Sequence, residues 1–200
     1  MLNLTIDIII SIIAASIVML VHELSKYYFS LSMLHPIYRK RKDIKVNALK
    51  YIDPIGLILF VFTSVGWQKP GEFNPVQFKD KEKGFVFLML VGMAANVLLI
   101  LALIPIFIRF YGTTTTVVGS YAITFVFRLI QYSFALIIVN LLPVPPLDMA
   151  KMIYSLNPNF YFKMIQNERI IHAVFILLIA FNILNAFVHS LFLPIQKLLI

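Results

Sequence analysis

Apolar residues fall in long uncharged runs, unlike the alternating or half-polar patterns of a soluble domain. No Asp, Glu, Lys or Arg interrupts Ile8 to Val21, and the apolar pattern continues past His22-Glu23 to about Leu34. It predicts one helix over about Leu4–Met33. Phe85–Ile108, Val117–Leu142 and Ile170–Leu193 are also long enough to cross a bilayer at about 1.5 Å per residue. Ile55–Trp67 is apolar but too short for a hydrocarbon core of roughly 30 Å. It predicts a re-entrant segment that dips into the membrane and returns. The connections are a basic stretch from His35 to Lys50, a polar stretch over 68–84, a short turn at Gly112–Thr116 and a Pro-rich, then amphipathic, link over 143–169. No basic residue precedes the first run, which argues against a signal peptide. The pattern shows no internal repeat, so the expectation is one membrane domain over 1–200.

Composition supports this reading and narrows it. The chain is 60% hydrophobic and 13% charged, with a mean hydropathy of +0.90. A soluble domain is about 45–50% apolar and about 25% charged. Soluble domains, disordered chains and nucleic-acid-binding modules are thereby excluded, and the fold class is an all-α polytopic protein of the lipid bilayer with about four transmembrane helices. The absence of cysteine excludes disulfides, thiolate metal sites and a cysteine nucleophile.

The net charge of +8 sits in the loops, where it sets orientation. With four spans, Lys and Arg number six in 35–50, four in 68–84 and three in 143–169, all on one side; Arg109 and Lys197 face the other. Were Ile55–Trp67 to cross, the first two loops would split six against four. Loop charge thus predicts that both chain ends lie outside and the basic loops in the cytoplasm. Cysteines introduced at positions 45, 80 and 160 should label only from the cytoplasm, and one at 114 only from outside. Outside labelling at 80 would overturn the four-span topology.

Ionisable groups inside a span are costly and therefore candidates for function. They are His22, Glu23 and Lys26 on the first helix, with Asp53 before the short segment and Asp148 after the third span. Arg128 lies within the third span. The predicted topology puts the Lys26 end of the first helix and Asp148 on the same side. His22-Glu23-Leu24-Ser25-Lys26 is one residue short of HExxH. In that motif two His at i and i+4 hold zinc from one helix face, and the Glu acts as general base.

Further motifs follow in order. Asn140-Leu-Leu-Pro-Val-Pro-Pro-Leu-Asp148-Met149 resembles the NxxPxxxLDG motif of the site-2 protease family of intramembrane zinc metalloproteases. Asp53-Pro-Ile-Gly56, Gly66-Trp-Gln-Lys-Pro70 with Asn74-Pro75, and Gly92-Met-Ala-Ala-Asn96 resemble its DPIG, GWxKPxxxNP and GPxxN stretches. The match covers roughly residues 15–155, with 170–193 as an additional helix. The compact chain, without PDZ or CBS domain, is similar to the small bacterial branch, which implies a place in the bacterial plasma membrane. The resemblance implies a core of that family's type with a small β element near 42–52. It implies zinc held by His22 and Asp148, Glu23 as catalytic base, and Asn140 in contact with substrate. The implied substrate is the transmembrane segment of a membrane protein.

Three positions depart from the pattern. Met93 replaces the usual Pro and Met149 the usual Gly. Lys26 replaces the second zinc His, and an ammonium cannot coordinate a metal. His35 lies about 13 Å along a helix from Lys26, too far to substitute, while His172 and His189 lie near the two ends of the last span. Without zinc, Lys26, Glu23 and Asp148 sum to −1. A net buried charge is costly, so a carboxyl or His22 takes up a proton. Lys26 can then pair with Asp148 across the helices and with Glu23 at i+3, or snorkel to the interface and leave the site empty. Two functions follow: an intramembrane zinc protease homologue impaired at one ligand, or an inactive relative that binds membrane helices without cleavage. A small transporter is disfavoured because paired half-repeats are absent.

Overall fold

The structure is a computed structural model and describes residues 2–39, 47–113 and 115–199. It is almost entirely helical. Helix α1 (Leu2–Met33) is followed by one turn, α2 (Pro36–Arg39). After a 3-10 turn at Ala48–Tyr51 comes the short α3 (Pro54–Thr63). Two long helices follow, α4 (Lys81–Phe110) and α5 (Val117–Asn140). An arm of α6 (Asp148–Leu156) and α7 (Pro158–Gln166) leads to α8 (Glu168–Ala180) and α9 (Ile183–Leu199).

Helices α1, α4 and α5 are each long and apolar enough to cross a membrane, and they pack against one another as the centre of the bundle. The reason is visible in α1. Ser11, Ala14, Ala15, Val18, Met19, His22, Glu23, Lys26 and Ser30 are buried. Their spacing of three and four residues is one helix face. Small residues at its start let the neighbouring helices approach closely, and the charged residues continue the same inward stripe. Ile9, Ile12 and Ile13 on the other side are exposed, as a lipid-facing surface requires.

Helix α3 has ten residues, about 15 Å of rise, and does not span. Asp53 caps it by accepting from the Gly56 amide at 2.9 Å. Ser64 ends it in the left-handed conformation, φ 60°. The chain then runs straight back, so that Trp67 lies beside the start of the helix. A Cβ on Gly56 would lie 2.0 Å from the Trp67 carbonyl oxygen, and only glycine permits that approach. This in-and-out path is the expected re-entrant segment.

Two expectations need correction. Residues 42–46 of the anticipated β element lie outside the described residues, and Ala48–Tyr51 forms a 3-10 turn. Among the described residues, the β pairing is a single antiparallel bridge between Leu34 and Phe78. The last span is not continuous either. Helices α8 and α9 meet at a 65° bend, where Asn182 adopts φ 60°. Asn185 Nδ2 donates to Asn182 Oδ1 at 2.9 Å. The two asparagines thus bond each other at the break. A short polar side chain tolerates the left-handed conformation that stops a helix. Arg128 stays local: its guanidinium donates to Gln131 at 3.2 Å and lies over the Tyr132 ring.

Candidate metal centre and its lysine

The site forms where the inner end of α1 meets α4, α6 and the segment after α3. His22, Glu23, Lys26 and Asp148 are all completely buried. The Pro-rich link over 141–147 brings the chain from α5 back against α1. Asp148 opens α6, so its carboxylate sits at a helix N-terminus, a favourable end for a negative charge. Met149 lies in the first turn of that helix with no positive φ. The usual glycine is therefore not needed for backbone freedom.

Lys26 Nζ lies 2.8 Å from Asp148 Oδ1 and 2.5 Å from Glu23 Oε1. His22 Nε2 lies 2.8 Å from Asp148 Oδ2. On the far side of the ring, Asn96 Nδ2 lies 3.0 Å from His22 Nδ1. With that amide donating, Nδ1 accepts and Nε2–H donates to Asp148, as a neutral imidazole does. Asn96 Oδ1 is left buried without a partner among the described residues. Gly92 makes room for the ring: a Cβ there would fall 2.7 Å from His22 Nε2.

Glu23 is saturated. Beyond Lys26 it accepts from Gln68 Nε2 at 3.1 Å and from the Gly71 amide at 2.9 Å. Gln68 and Asn140 form a reciprocal amide pair at 3.0 Å in each direction. Asn140 also donates to the Leu136 carbonyl at 2.9 Å and accepts from the Asp148 amide at 3.4 Å. His22, Glu23, Lys26, Asn140 and Asp148 therefore lie together, whereas Asp53 caps α3 and Arg128 stays within α5. Asn96, Gln68 and Gly71 were visible inside motifs but carried no role. His35, His172 and His189 stay outside the cluster: His172 bonds the Pro145 carbonyl, and His189 lines a small pocket with Gln131 and Asn185.

Burial alone would raise the pKa of Asp148. The Lys26 ammonium and His22 outweigh it and hold the carboxyl well below the usual carboxylate range. Lys151, one turn further along α6, is different. Its ammonium donates to the Gly71 carbonyl at 3.1 Å. Burial and the nearby Lys26 charge push it down to about 8. In an unfolded chain it titrates near ~10.4. Between those values the unfolded state binds more protons, so stability should rise with pH. The Tm of the parent minus that of Lys151→Met is expected to increase from pH 8 to pH 10. A flat difference would contradict the burial of this ammonium.

A relative in Bacillus subtilis (strain 168), named "Putative zinc metalloprotease YwhC", is 32% identical over 163 residues, which is 78% of this chain and 74% of the relative. The chain belongs to the site-2 protease-like family of metalloproteases. No family model matches the chain, and no solved structure does.

The family name and the relative's name both imply zinc, and the donor set can be tested against it. His22, Glu23 and Asp148 offer ligand atoms within 4.8 Å of one another, a separation a single ion could bridge. A cation is already there. At about 4 Å and an effective dielectric of about 20, a divalent ion and an ammonium repel by about 8 kcal/mol. Counting Glu23 as a ligand would also remove the Glu that serves as general base in an HExxH motif. The residues of this chain, with Lys26 charged, do not fit a catalytic zinc.

Proposed function

We propose that this protein is a non-cleaving member of its family, one that binds transmembrane segments of other membrane proteins in the bacterial plasma membrane with its basic loops in the cytoplasm. The observation that carries this reading is the Lys26 ammonium, 2.8 Å from Asp148 and 2.5 Å from Glu23. It ties α1 to α6 as a metal would and supplies no Lewis acid. A general base must take its water within hydrogen-bond reach. Three of the roughly four acceptor sites of the Glu23 carboxylate are already taken, by Lys26, Gln68 and the Gly71 amide. Asn140, the expected substrate contact, reaches a bound segment only by releasing Gln68. The fold is kept and the chemistry is lost.

The purified protein, reconstituted with a transmembrane reporter segment carrying a photo-crosslinker, should capture the segment and leave it intact. Cleavage that disappears in Glu23→Gln would overturn the proposal and establish an impaired but working protease.

A further inference from the structure

A second feature lies next to the charged cluster and is separate from it. A cavity of about 690 Å³ lies between α4, the segment at 69–78 and the α6–α7 arm, within the size range of small-ligand sites. Phe73, Phe85, Tyr154 and Tyr161 give it aromatic walls, and Lys151 lines it. Tyr154 and Glu72 are exposed, so the cavity reaches the surface. Lys69, also exposed, adds a second positive charge to the lining.

Lys151 is the unusual member. The single hydrogen bond of its ammonium among the described residues goes to an uncharged carbonyl, Gly71 O. Among the described residues it makes no ion pair: the carboxylates of Glu23 and Asp148 are taken by Lys26, and the exposed Glu72, which also lines the cavity, attracts it without pairing with it. A partly buried ammonium without an ion pair is costly. Two of its three protons have no partner among the described residues, and the adjoining space is large enough for a ligand. An anion arriving there would supply the missing charge. The aromatic walls suit apolar side chains on either side of it.

We propose that this cavity binds a carboxylate-bearing peptide, with Lys151 as the anchor for the carboxylate. The carboxylate can be a chain terminus or an acidic side chain. The choice of a peptide rests on the reading of the protein as a binder of polypeptide segments. The Gly71 backbone joins the two places: its amide holds Glu23 and its carbonyl holds Lys151. An occupant of the cavity that takes Lys151 away from Gly71 would loosen the segment lying over the charged cluster.

The test uses the full chain in detergent micelles and fluorescence anisotropy of dansyl-Phe-Leu-Phe as free acid, the same peptide as its amide, and dansyl-Phe-Leu-Glu amide. Partition into protein-free micelles is subtracted. At least one carboxylate peptide is expected to bind about tenfold or more tightly than the neutral amide, and the two arms tell terminus from side chain. Lys151→Met should remove the difference and Lys151→Arg should keep it. Equal binding of all three peptides, or a difference that survives Lys151→Met, would overturn the site. So would displacement by dioctanoyl phosphatidylglycerol with no carboxylate preference, which would identify a lipid headgroup. If Lys151→Met does not fold, the acid–amide comparison on the unaltered protein decides. A carboxylate peptide that binds while transmembrane segments do not would overturn the proposed function and leave this site standing.

Discussion

Lys26→Met should destabilise the protein by about 3–5 kcal/mol, the cost of breaking a buried ion pair by removing one partner. The methionine fills much the same space, so packing changes little. What changes is charge: Glu23 and Asp148 lose the cation that, among the described residues, forms an ion pair with both. Their remaining donors, Gln68, Gly71 and His22, cannot neutralise two buried carboxylates. Thermal unfolding in micelles measures the loss. The triple variant Lys26→Met, Glu23→Gln, Asp148→Asn removes the charges together and should recover much of it, because replacing a whole buried ionic cluster is often close to neutral. A single variant as stable as the parent would show that Lys26 turns away from the cluster and reaches the interface.

Lys26→His should bring the opposite gain in metal binding. Position 26 lies one turn from His22 on the same face, and Asp148 already lies 2.8 Å from both residues. The variant would assemble two imidazoles and a carboxylate, the three protein ligands a catalytic zinc takes, and leave Glu23 free of its ion pair. Without zinc it should be less stable than the parent by a few kcal/mol, since the cation is gone. With zinc at about a hundred times its Kd it should regain about 2.7 kcal/mol. Proteolysis is a harsher criterion, because Gly71 and Gln68 still hold Glu23 and Met93 is buried close by. A variant that gains no zinc would contradict the placement of α1 against α6.

Much of the membrane architecture was legible from the sequence, because uncharged runs leave few alternatives. The long helices α1, α4 and α5 and the short α3 all follow from run length. The break at Asn182 was not legible: the run over 170–193 carries no Asp, Glu, Lys or Arg, and hydropathy does not tell an asparagine that stops a helix from one that sits within it. The charged cluster was half legible. Motif spacing brought His22, Lys26 and Asp148 together, and charge balance named Asp148 and Glu23 as partners for Lys26. The supporting bonds were not readable, since they depend on how the segment at 66–74 folds back over α1. Gln68 and Gly71 reach Glu23 across 45 and 48 residues of sequence. Lys151 was counted only as loop charge, because nothing in one sequence tells an ammonium turned into a cavity from one in water.

Zinc content decides whether a lysine stands in for the metal. The protein purified in zinc-containing buffer at neutral pH and then desalted should hold far less than one zinc per chain by elemental analysis. Close to one zinc per chain, lost in His22→Ala, would contradict the account and show that Lys26 gives way to the ion.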